Sequence, residues 1–197
     1  MKKAYIFVFG GSSTLLLSIF MLVVLPRLQM GVVQNEGVSV QEPYTDEQAL
    51  GRRIYIEYGC IYCHSQQVRD PVAGADESFG WGRASVPSDY IHDQPHLMGT
   101  SRTGPDLSNV GSRQPSAEWH HLHLYDPRML VDWSIMPRHA FLYEKTQGEQ
   151  PSESALKVPN SEDEWIIPSQ EAEALVAYLL SLKRDQEPPT AGEADEQ

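Results

Sequence analysis

The stretch that decides the fold is Gly59-Cys60-Ile61-Tyr62-Cys63-His64. Two thiols three residues apart, followed at once by a histidine, form the C-x-x-C-H pattern of covalent haem attachment. At the end of a helix, two such thiols can reach both vinyl groups of one porphyrin, and the next imidazole can point at the iron. We therefore predict one covalently bound haem c, attached through Cys60 and Cys63, with His64 as one axial ligand of the iron.

Other interpretations of the cysteines are less consistent with the sequence. The chain holds two Cys in all, too few for a disulfide scaffold. A structural zinc site would need a second pair of ligands at matching spacing. A thioredoxin-like redox pair would need a βαβ context, which the sequence does not show.

Three methionines downstream of His64 are candidates for the sixth iron ligand, since methionine raises the potential and suits electron transfer. Met136 precedes Pro137, and a following proline favours an extended backbone that can hold a weak thioether ligand in place. Met98, next to Gly99, is its rival. Met129 lies in a helical pattern and fits a core position better. An open sixth position would instead indicate a haem enzyme.

The segment Arg102-Thr103-Gly104-Pro105-Asp106-Leu107 can supply the acceptor that the second N–H of an axial histidine requires. We expect that acceptor to be the Pro105 carbonyl, in a rigid Gly-Pro turn. Three arginines could pair with the haem propionates or could be ordinary surface charges; they are Arg102, Arg113 and Arg128.

The N-terminal run from Ala4 to Leu25 contains no charged residue. As a helix it would extend about 33 Å, enough to cross a hydrocarbon core of about 30 Å. Lys2 and Lys3 precede it, which predicts a cytoplasmic N-terminus and an outer location for the rest. A cleaved signal peptide would have a shorter apolar run and an A-x-A-like site; this run ends in Pro26 without one. We predict a single-pass anchor over residues 1–27.

The remaining chain is predicted to be mainly α, a class I cytochrome c-like domain with long loops. We predict a tether over residues 28–44 and the cytochrome c domain over residues 45–184. Residues 185–197 are predicted to be a disordered acidic tail. Within the domain, 144–168 is a polar stretch predicted to be an exposed excursion.

Three helices are expected in this domain, and loops occupy residues 65–118. The capping box at Thr45 should start the first helix, which would run to about Tyr58. A short helix is expected over residues 119–132, and Ser169 should begin the last one. Gly51 and Tyr55 on the first helix and Tyr178 on the last should let these two helices cross closely.

The net charge of −12 argues against nucleic acid as a partner, because phosphate binding needs a basic surface. The acidic surface could attract a basic electron-donor protein, or it could serve solubility alone. A dense cluster of histidines is formed by His120, His121 and His123. It lacks the neighbouring carboxylate or Cys ligands that a metal site would need. They fit either a contact with a partner or a haem propionate, or a buried hydrogen-bonded pair with His121 exposed.

Several motifs occur in a fixed order along the chain: Cys63-His64-Ser65-Gln66, Arg102-Thr103-Gly104-Pro105-Asp106-Leu107, Trp119-His120, His123-Leu124-Tyr125, Pro127-Arg128 and Met136-Pro137. This combination resembles the membrane-anchored mono-haem cytochrome c subunit, subunit II, of cbb(3)-type (C-family) haem–copper oxidases. The resemblance is weak over the anchor and good over residues 51–142. The sequence departs from the family pattern at Gln67, where the family usually has Met, at Met98, where it usually has Trp, and over residues 70–92.

This resemblance implies Met136 as the axial ligand and a location in the bacterial inner membrane, with the haem domain on the periplasmic face. The subunit would have no catalytic site of its own. It would take electrons from a soluble donor or a further c-type cytochrome subunit and pass them to the haem–copper subunit, which reduces oxygen to water. The resemblance also suggests a calcium ion at that interface, near Gly99 and Thr100. The alternatives are the cytochrome c subunit of a nitric oxide reductase and a free-standing membrane-anchored carrier.

Overall fold

The computed structural model describes residues 2–29, 42–99 and 101–185. Most of the predicted tether, Thr100 and nearly all of the predicted acidic tail lie outside these residues. Helix α1 (Lys2–Ile19) continues through a π-helical turn (Phe20–Val24), and the helical stretch as a whole covers Lys3–Gln29. This stretch is long and apolar enough to cross a membrane, as predicted, and its apolar part is not buried within the protein.

Polar side chains within α1 bond to the helix itself. The Thr14 hydroxyl donates to the Gly10 carbonyl and the Ser18 hydroxyl to the Thr14 carbonyl, each at 2.9 Å. A hydroxyl bonded in this way does not need water, so these residues are compatible with a hydrocarbon environment.

Residues 42–85 and 92–185 belong to one compact unit, the outer domain, whereas α1 and residues 86–91 belong to another. The outer domain is mainly helical, with one small sheet, and this confirms the predicted fold class. Its helices and strands are α2 (Asp46–Glu57), α3 (Val110–Arg113), α4 (Ala117–Tyr125), β1 (Tyr143–Gln147), β2 (Leu156–Lys157), β3 (Glu164–Pro168) and α5 (Gln170–Ser181).

Helix α2 begins at the predicted capping box. The Thr45 hydroxyl accepts from the Gln48 N–H at 3.2 Å, and the Gln48 side chain accepts from the Thr45 N–H at 3.0 Å. The helix ends at Tyr58, and Gly59 follows with a φ of +72°. This left-handed conformation favours glycine, and it turns the chain into the C-x-x-C-H segment.

The close crossing of α2 and α5 is confirmed. A Cβ atom on Gly51 would lie 1.8 Å from the Ala174 carbonyl oxygen, so any side chain there would force the two helices apart. Tyr55 and Tyr178 meet edge to face at 5.6 Å between ring centroids. The crossing forms the centre of the apolar core, where Leu175 is also buried.

Residues 144–168 were predicted to form an exposed polar excursion, and many of them are exposed, but the segment also has regular secondary structure. They form most of a three-stranded antiparallel sheet in the order β1-β3-β2, in which Tyr143 pairs with Pro168. Ile166 is fully buried in the core, and Ala155 and Val158 are also buried. Their apolar side chains are few and are separated by polar residues, so the hydrophobic pattern in the sequence is too weak to indicate strands.

The short helix predicted over 119–132 is displaced and shorter. Helix α4 begins two residues earlier, at Ala117, because the Ser116 hydroxyl accepts from the Trp119 N–H at 3.2 Å. It ends at Tyr125, because Asp126 and Pro127 begin a separate 3₁₀ turn, Pro127–Met129. The Asp126 carboxylate caps that turn by accepting from the Arg128 N–H at 3.2 Å.

His121 holds α4 against α5 and β1, and it is buried rather than exposed, with 4% of its surface accessible. Its Nδ1 lies 3.2 Å from the Tyr143 hydroxyl and its Nε2 lies 3.4 Å from the Glu173 carboxylate. A neutral imidazole satisfies both contacts by accepting at Nδ1 and donating from Nε2. Burial lowers the pKa of His121 to about 4, because it disfavours the charged imidazolium. The nearby Glu173 carboxylate does not offset this effect, since it is half-exposed and well solvated.

We expect the free energy of unfolding to fall as the pH drops from about 6.5 to about 4. In this window the unfolded chain protonates His121 and the folded chain does not, so acid favours unfolding by at most about 1.4 kcal/mol per pH unit for this group. Denaturant unfolding of the purified full-length chain at several pH values measures the slope. The slope should be shallower in His121→Gln and unchanged in the exposed control His92→Gln. Parallel slopes in the wild type and His121→Gln would contradict this role.

Candidate functional site

The two cysteines lie in a tight turn directly after α2. The 3₁₀ turn Cys60–Tyr62 is closed by hydrogen bonds from the Cys63 and His64 N–H groups to the Cys60 carbonyl, at 3.1 and 3.0 Å. Both thiols are free and half-buried. Burial raises the pKa of the Cys60 thiol to about 11, so it is protonated at neutral pH.

His64 has a defined tautomer. Its Nδ1 lies 2.8 Å from the Pro105 carbonyl oxygen, which can only accept, so the proton is on Nδ1. Burial lowers the pKa of His64, and the Pro105 carbonyl opposes this only in part, so the ring is held neutral. A neutral ring protonated on Nδ1 has its lone pair on Nε2, the form in which histidine binds a metal.

Gly104 allows the Gly-Pro turn to lie against the imidazole. A Cβ atom at this position would be 2.3 Å from His64 Cε1, well inside van der Waals contact. The Gly104 N–H also donates to the Cys63 carbonyl at 2.9 Å. The turn therefore contacts the C-x-x-C-H segment in two ways. The Gly104 N–H forms a backbone hydrogen bond, and the absence of a side chain at Gly104 lets the backbone approach the His64 ring.

Asp106 joins these two segments, a role that the sequence analysis missed. Its fully buried carboxylate accepts from the Ser65 hydroxyl at 2.6 Å, from the Gln67 N–H at 2.8 Å and from the Ser108 N–H at 2.8 Å. The signal available in the sequence was a carboxylate directly after Gly-Pro, a residue type that often bonds nearby backbone N–H groups.

Arg102 has a different role from the one that the sequence suggested. Its Nε donates to the Ser65 hydroxyl at 2.8 Å, and its Nη2 donates to the Gln67 carbonyl and to Asp76, each at 2.6 Å. Burial tends to raise the pKa of Asp76, but the guanidinium outweighs it and holds that pKa below its usual value. Arg102 lines neither cavity described below, and its guanidinium joins the loops at Ser65, Gln67 and Asp76. Its pairing with a propionate stays a prediction.

Two cavities of about 310 and 250 Å³ open beside His64. The first is at the lower end of the range typical of small-molecule and cofactor sites, and the second is slightly smaller. Five residues line both of them: His64, Pro105, Trp119, His123 and Met136. The lining of the first cavity also includes four apolar residues, Leu107, Val110, Leu124 and Leu179, and three polar ones, Arg113, Gln114 and His120. The second extends to Cys63 and the segment 133–137.

The three methionine candidates occupy different positions. Met136 lines both cavities together with His64. Met98 lines neither, and its carbonyl accepts from the Gln66 N–H at 2.8 Å. Met129 packs against the apolar core. Arg128 holds the Met136 segment by donating to the Ser134 and Met136 carbonyls at 3.1 and 3.3 Å, so it acts on the backbone of the loop.

The histidines of α4 make separate contacts. In the described part of the chain, no group of three or more His, Cys, Asp or Glu side chains is placed so that it could hold a metal ion. His120 Nε2 lies 2.8 Å from the Gln114 carbonyl. His123 stacks on Trp119, with 4.5 Å between ring centroids and 10° between planes. Burial, followed by the charges of His120 and His64, lowers the pKa of His123 to about 4.

Gly99 packs against the C-x-x-C-H segment. Its φ is +70°, and a Cβ atom there would lie 2.9 Å from Ser65 Cα. This close approach and the left-handed backbone account for the glycine without a metal. Thr100 lies outside the described residues, so the calcium site suggested for Gly99 and Thr100 stays a prediction from the resemblance.

The donor set and the cavities fit a covalently attached haem. Two free thiols, a neutral imidazole with its lone pair on Nε2 and a thioether are the groups that such a cofactor requires. Cys63, His64 and Met136 line the cavities, whereas Cys60 lies one 3₁₀ turn before Cys63 and packs against the apolar core. One buried nitrogen near this space, His123 Nδ1, has no hydrogen-bond partner within the described residues.

Comparison with known families matches residues 2–164 to the sequence model of "Cytochrome C oxidase, mono-heme subunit/FixO". The match covers most of the chain and includes Cys60, Cys63, His64 and Met136. No curated protein matches the sequence. The family match confirms the resemblance to subunit II of the cbb(3)-type enzymes. The chain therefore belongs to the FixO family of mono-haem cytochrome c oxidase subunits.

Proposed function

We propose that the chain delivers single electrons to the haem–copper catalytic subunit of a cbb(3)-type oxidase, which reduces oxygen to water. Family membership makes it the haem-carrying electron-transport subunit of an oxidase complex, associated with the catalytic subunit. The main support for electron delivery by a haem on this chain is that His64 and Met136 line the same two cavities. Histidine and methionine together are the ligand pair of electron-transferring c-type haems.

Four residues would hold the haem. The Cys60 and Cys63 thiols would each add across one vinyl group, forming a thioether with no leaving group. His64 Nε2 and Met136 Sδ would ligate the iron. When bound, the haem supplies a one-electron iron couple. The hydrogen bond to Pro105 fixes the His64 ring and increases its basicity, and Arg128 fixes the backbone around Met136.

The polar residues that line the first cavity would receive the haem carboxylates. Arg113 is one of them, and one of its Nη atoms donates to the Asp106 carbonyl, which orients the guanidinium. An arginine in this place can neutralise a carboxylate and bond it at the same time. Among the three arginines considered, Arg113 is therefore our proposed propionate partner.

Oxygen chemistry would take place outside this chain. If His64 and Met136 both ligate the iron, no coordination position would remain for oxygen, so we infer that the subunit has no catalytic site of its own. The acidic outer domain suits a basic soluble donor or a further c-type cytochrome subunit as the source of electrons.

The membrane arrangement follows from the charges that flank the apolar helix. Lys2 and Lys3 precede the span, which favours a cytoplasmic N-terminus. The outer domain would then lie on the periplasmic face of the bacterial inner membrane, where disulfide- and thioether-forming chemistry takes place. An uncleaved helix would keep the haem domain beside the catalytic subunit.

The subunit should be recovered as part of a complex. In mild detergent we expect it to co-migrate with a large multi-span protein that contains haem and copper and consumes oxygen, because the chain belongs to an oxidase family. Recovery as a lone chain in several mild detergents would favour the free-standing carrier. A partner that reduces nitric oxide but not oxygen would favour the reductase alternative.

Loss of the proposed thioether ligand should change the spectrum. Met136→Leu should abolish the thioether–iron charge-transfer band at the red edge of the oxidised spectrum. It should also slow electron delivery from the donor through this haem to the oxidase, because the potential falls and the donor then reduces the haem less readily. Met98→Leu is the matched control, since Met98 lines neither cavity, and should leave the band intact. The reverse result would show that the wrong methionine has been assigned.

A further inference from the structure

A buried carboxylate lies close to His64 on both of the segments that meet there. Asp106 is fully buried, and it directly follows Pro105, whose carbonyl holds His64 Nδ1 at 2.8 Å. On the other segment, its Oδ2 accepts at 2.6 Å from the hydroxyl of Ser65, the residue after His64. Ser65 is buried as well, so water does not separate these groups. A charge in such an interior acts on its neighbours more strongly than a charge in water.

The hydrogen bonds around Asp106 fit an ionised carboxylate. Oδ1 accepts from the Ser108 N–H and Oδ2 from the Gln67 N–H, each at 2.8 Å. The Ser65 hydroxyl accepts from Arg102 Nε at 2.8 Å, and a guanidinium N–H can only donate, so the hydroxyl proton of Ser65 points to Asp106. Donors therefore reach both carboxylate oxygens, and hydrogen bonds to the charged form favour that form.

The negative charge of Asp106 is offset only in part. Arg102 Nη2 lies 3.9 Å from Asp106 Oδ2, whereas Arg102 Nη1 and Nη2 lie 2.5 and 2.6 Å from the two carboxylate oxygens of Asp76. Asp76 is also buried, so one guanidinium is shared by two buried carboxylates. Arg113 donates to the backbone carbonyl of Asp106 and not to its carboxylate. The group formed by Arg102, Asp76 and Asp106 therefore has one positive and two negative charges.

We propose that the Asp106 carboxylate is a fixed negative charge that lowers the reduction potential of the haem held by His64, and that Arg102 limits this effect. The proposal rests on the proposed function, because it requires a haem on this chain. Ferric iron carries one more positive charge than ferrous iron, so a nearby buried anion stabilises the oxidised form more. Arg102 is a positioning residue, since it directs the Ser65 hydroxyl to Asp106 and offsets part of the carboxylate charge.

A purely structural role for the two residues would have a different consequence. If Asp106 and Arg102 only joined the loops, removing either one would loosen the His64 segment in a similar way, and the potential would move in the same direction in both variants. A charge effect requires opposite directions. Removing the anion raises the potential, and removing the cation lowers it.

The test uses the purified complex and compares Asp106→Asn with Arg102→Gln. Asparagine keeps the size of the side chain and a carbonyl oxygen that can accept from Ser65 and Gln67, but it removes the charge. Glu144→Gln is the control, because Glu144 is an exposed carboxylate on β1 and its charge is screened by solvent. The readouts are haem content, the thioether–iron band, and the midpoint potential at low and at high salt.

We expect a higher potential in Asp106→Asn and a lower one in Arg102→Gln, with haem and the thioether–iron band retained in both. Glu144→Gln should match the wild type. The shift in Asp106→Asn should persist at high salt, because a buried charge is screened little by ions. An unchanged potential in Asp106→Asn, shifts of the same sign in the two variants, or loss of the band in either one would overturn the charge effect.

The proposal stays testable if one variant does not accumulate. Without Asp106→Asn, Arg102→Lys is compared with Arg102→Gln: a potential close to the wild type in the lysine variant and a lower one in the glutamine variant support the charge effect, and equal shifts overturn it. Without Arg102→Gln, the shift in Asp106→Asn and its persistence at high salt decide.

The two proposals can fail separately. A wild-type complex that carries no haem on this chain would overturn the proposed function and the role of Asp106 together. A wild-type complex with one haem on the chain, combined with an unchanged potential in Asp106→Asn, would overturn the role of Asp106 alone.

Discussion

The site depends on the hydrogen bond between His64 Nδ1 and the Pro105 carbonyl. At 2.8 Å it fixes the tautomer of the imidazole and leaves the lone pair on Nε2. Two other contacts maintain it: Gly104 lies against the ring because it has no side chain, and Asp106 bonds both to Ser65 and to the Gln67 N–H. A histidine held in this way is ready to bind a metal without reorganisation.

The remaining fold keeps those segments in place. Gln66 follows His64 by two residues, and its side-chain amide bonds to the Tyr178 hydroxyl at 3.0 Å, which joins the site to the α2–α5 crossing. Beyond the last helix, Arg184 forms a buried ion pair with Asp93 at 2.6 Å. A paired and hydrogen-bonded buried charge resists displacement, because breaking the pair would leave one charge alone in the core. The rigidity of the helices is thus transmitted to the C-x-x-C-H segment.

Short motifs in the sequence predicted more of the structure than its weak hydrophobic periodicity did. The capping box at Thr45, the Gly51 crossing and the Gly104-Pro105 turn were predictable because each depends on residue types at short spacing. The sheet formed by residues 143–168 was not, since Ile166 is buried by contacts with distant parts of the chain. For the same reason the sequence did not reveal that Arg102 pairs with Asp76 or that Asp106 clamps two loops. His121 was taken for an exposed residue because α4 shows no clear apolar face.

The most direct test of the central claim is the mass of the isolated chain. Under denaturing and reducing conditions the full-length chain should be heavier than its polypeptide by one haem and should retain haem colour, because thioethers survive where iron ligation does not. Replacing both Cys60 and Cys63 by Ala should remove that extra mass. A wild-type chain with the mass of the bare polypeptide would contradict the account.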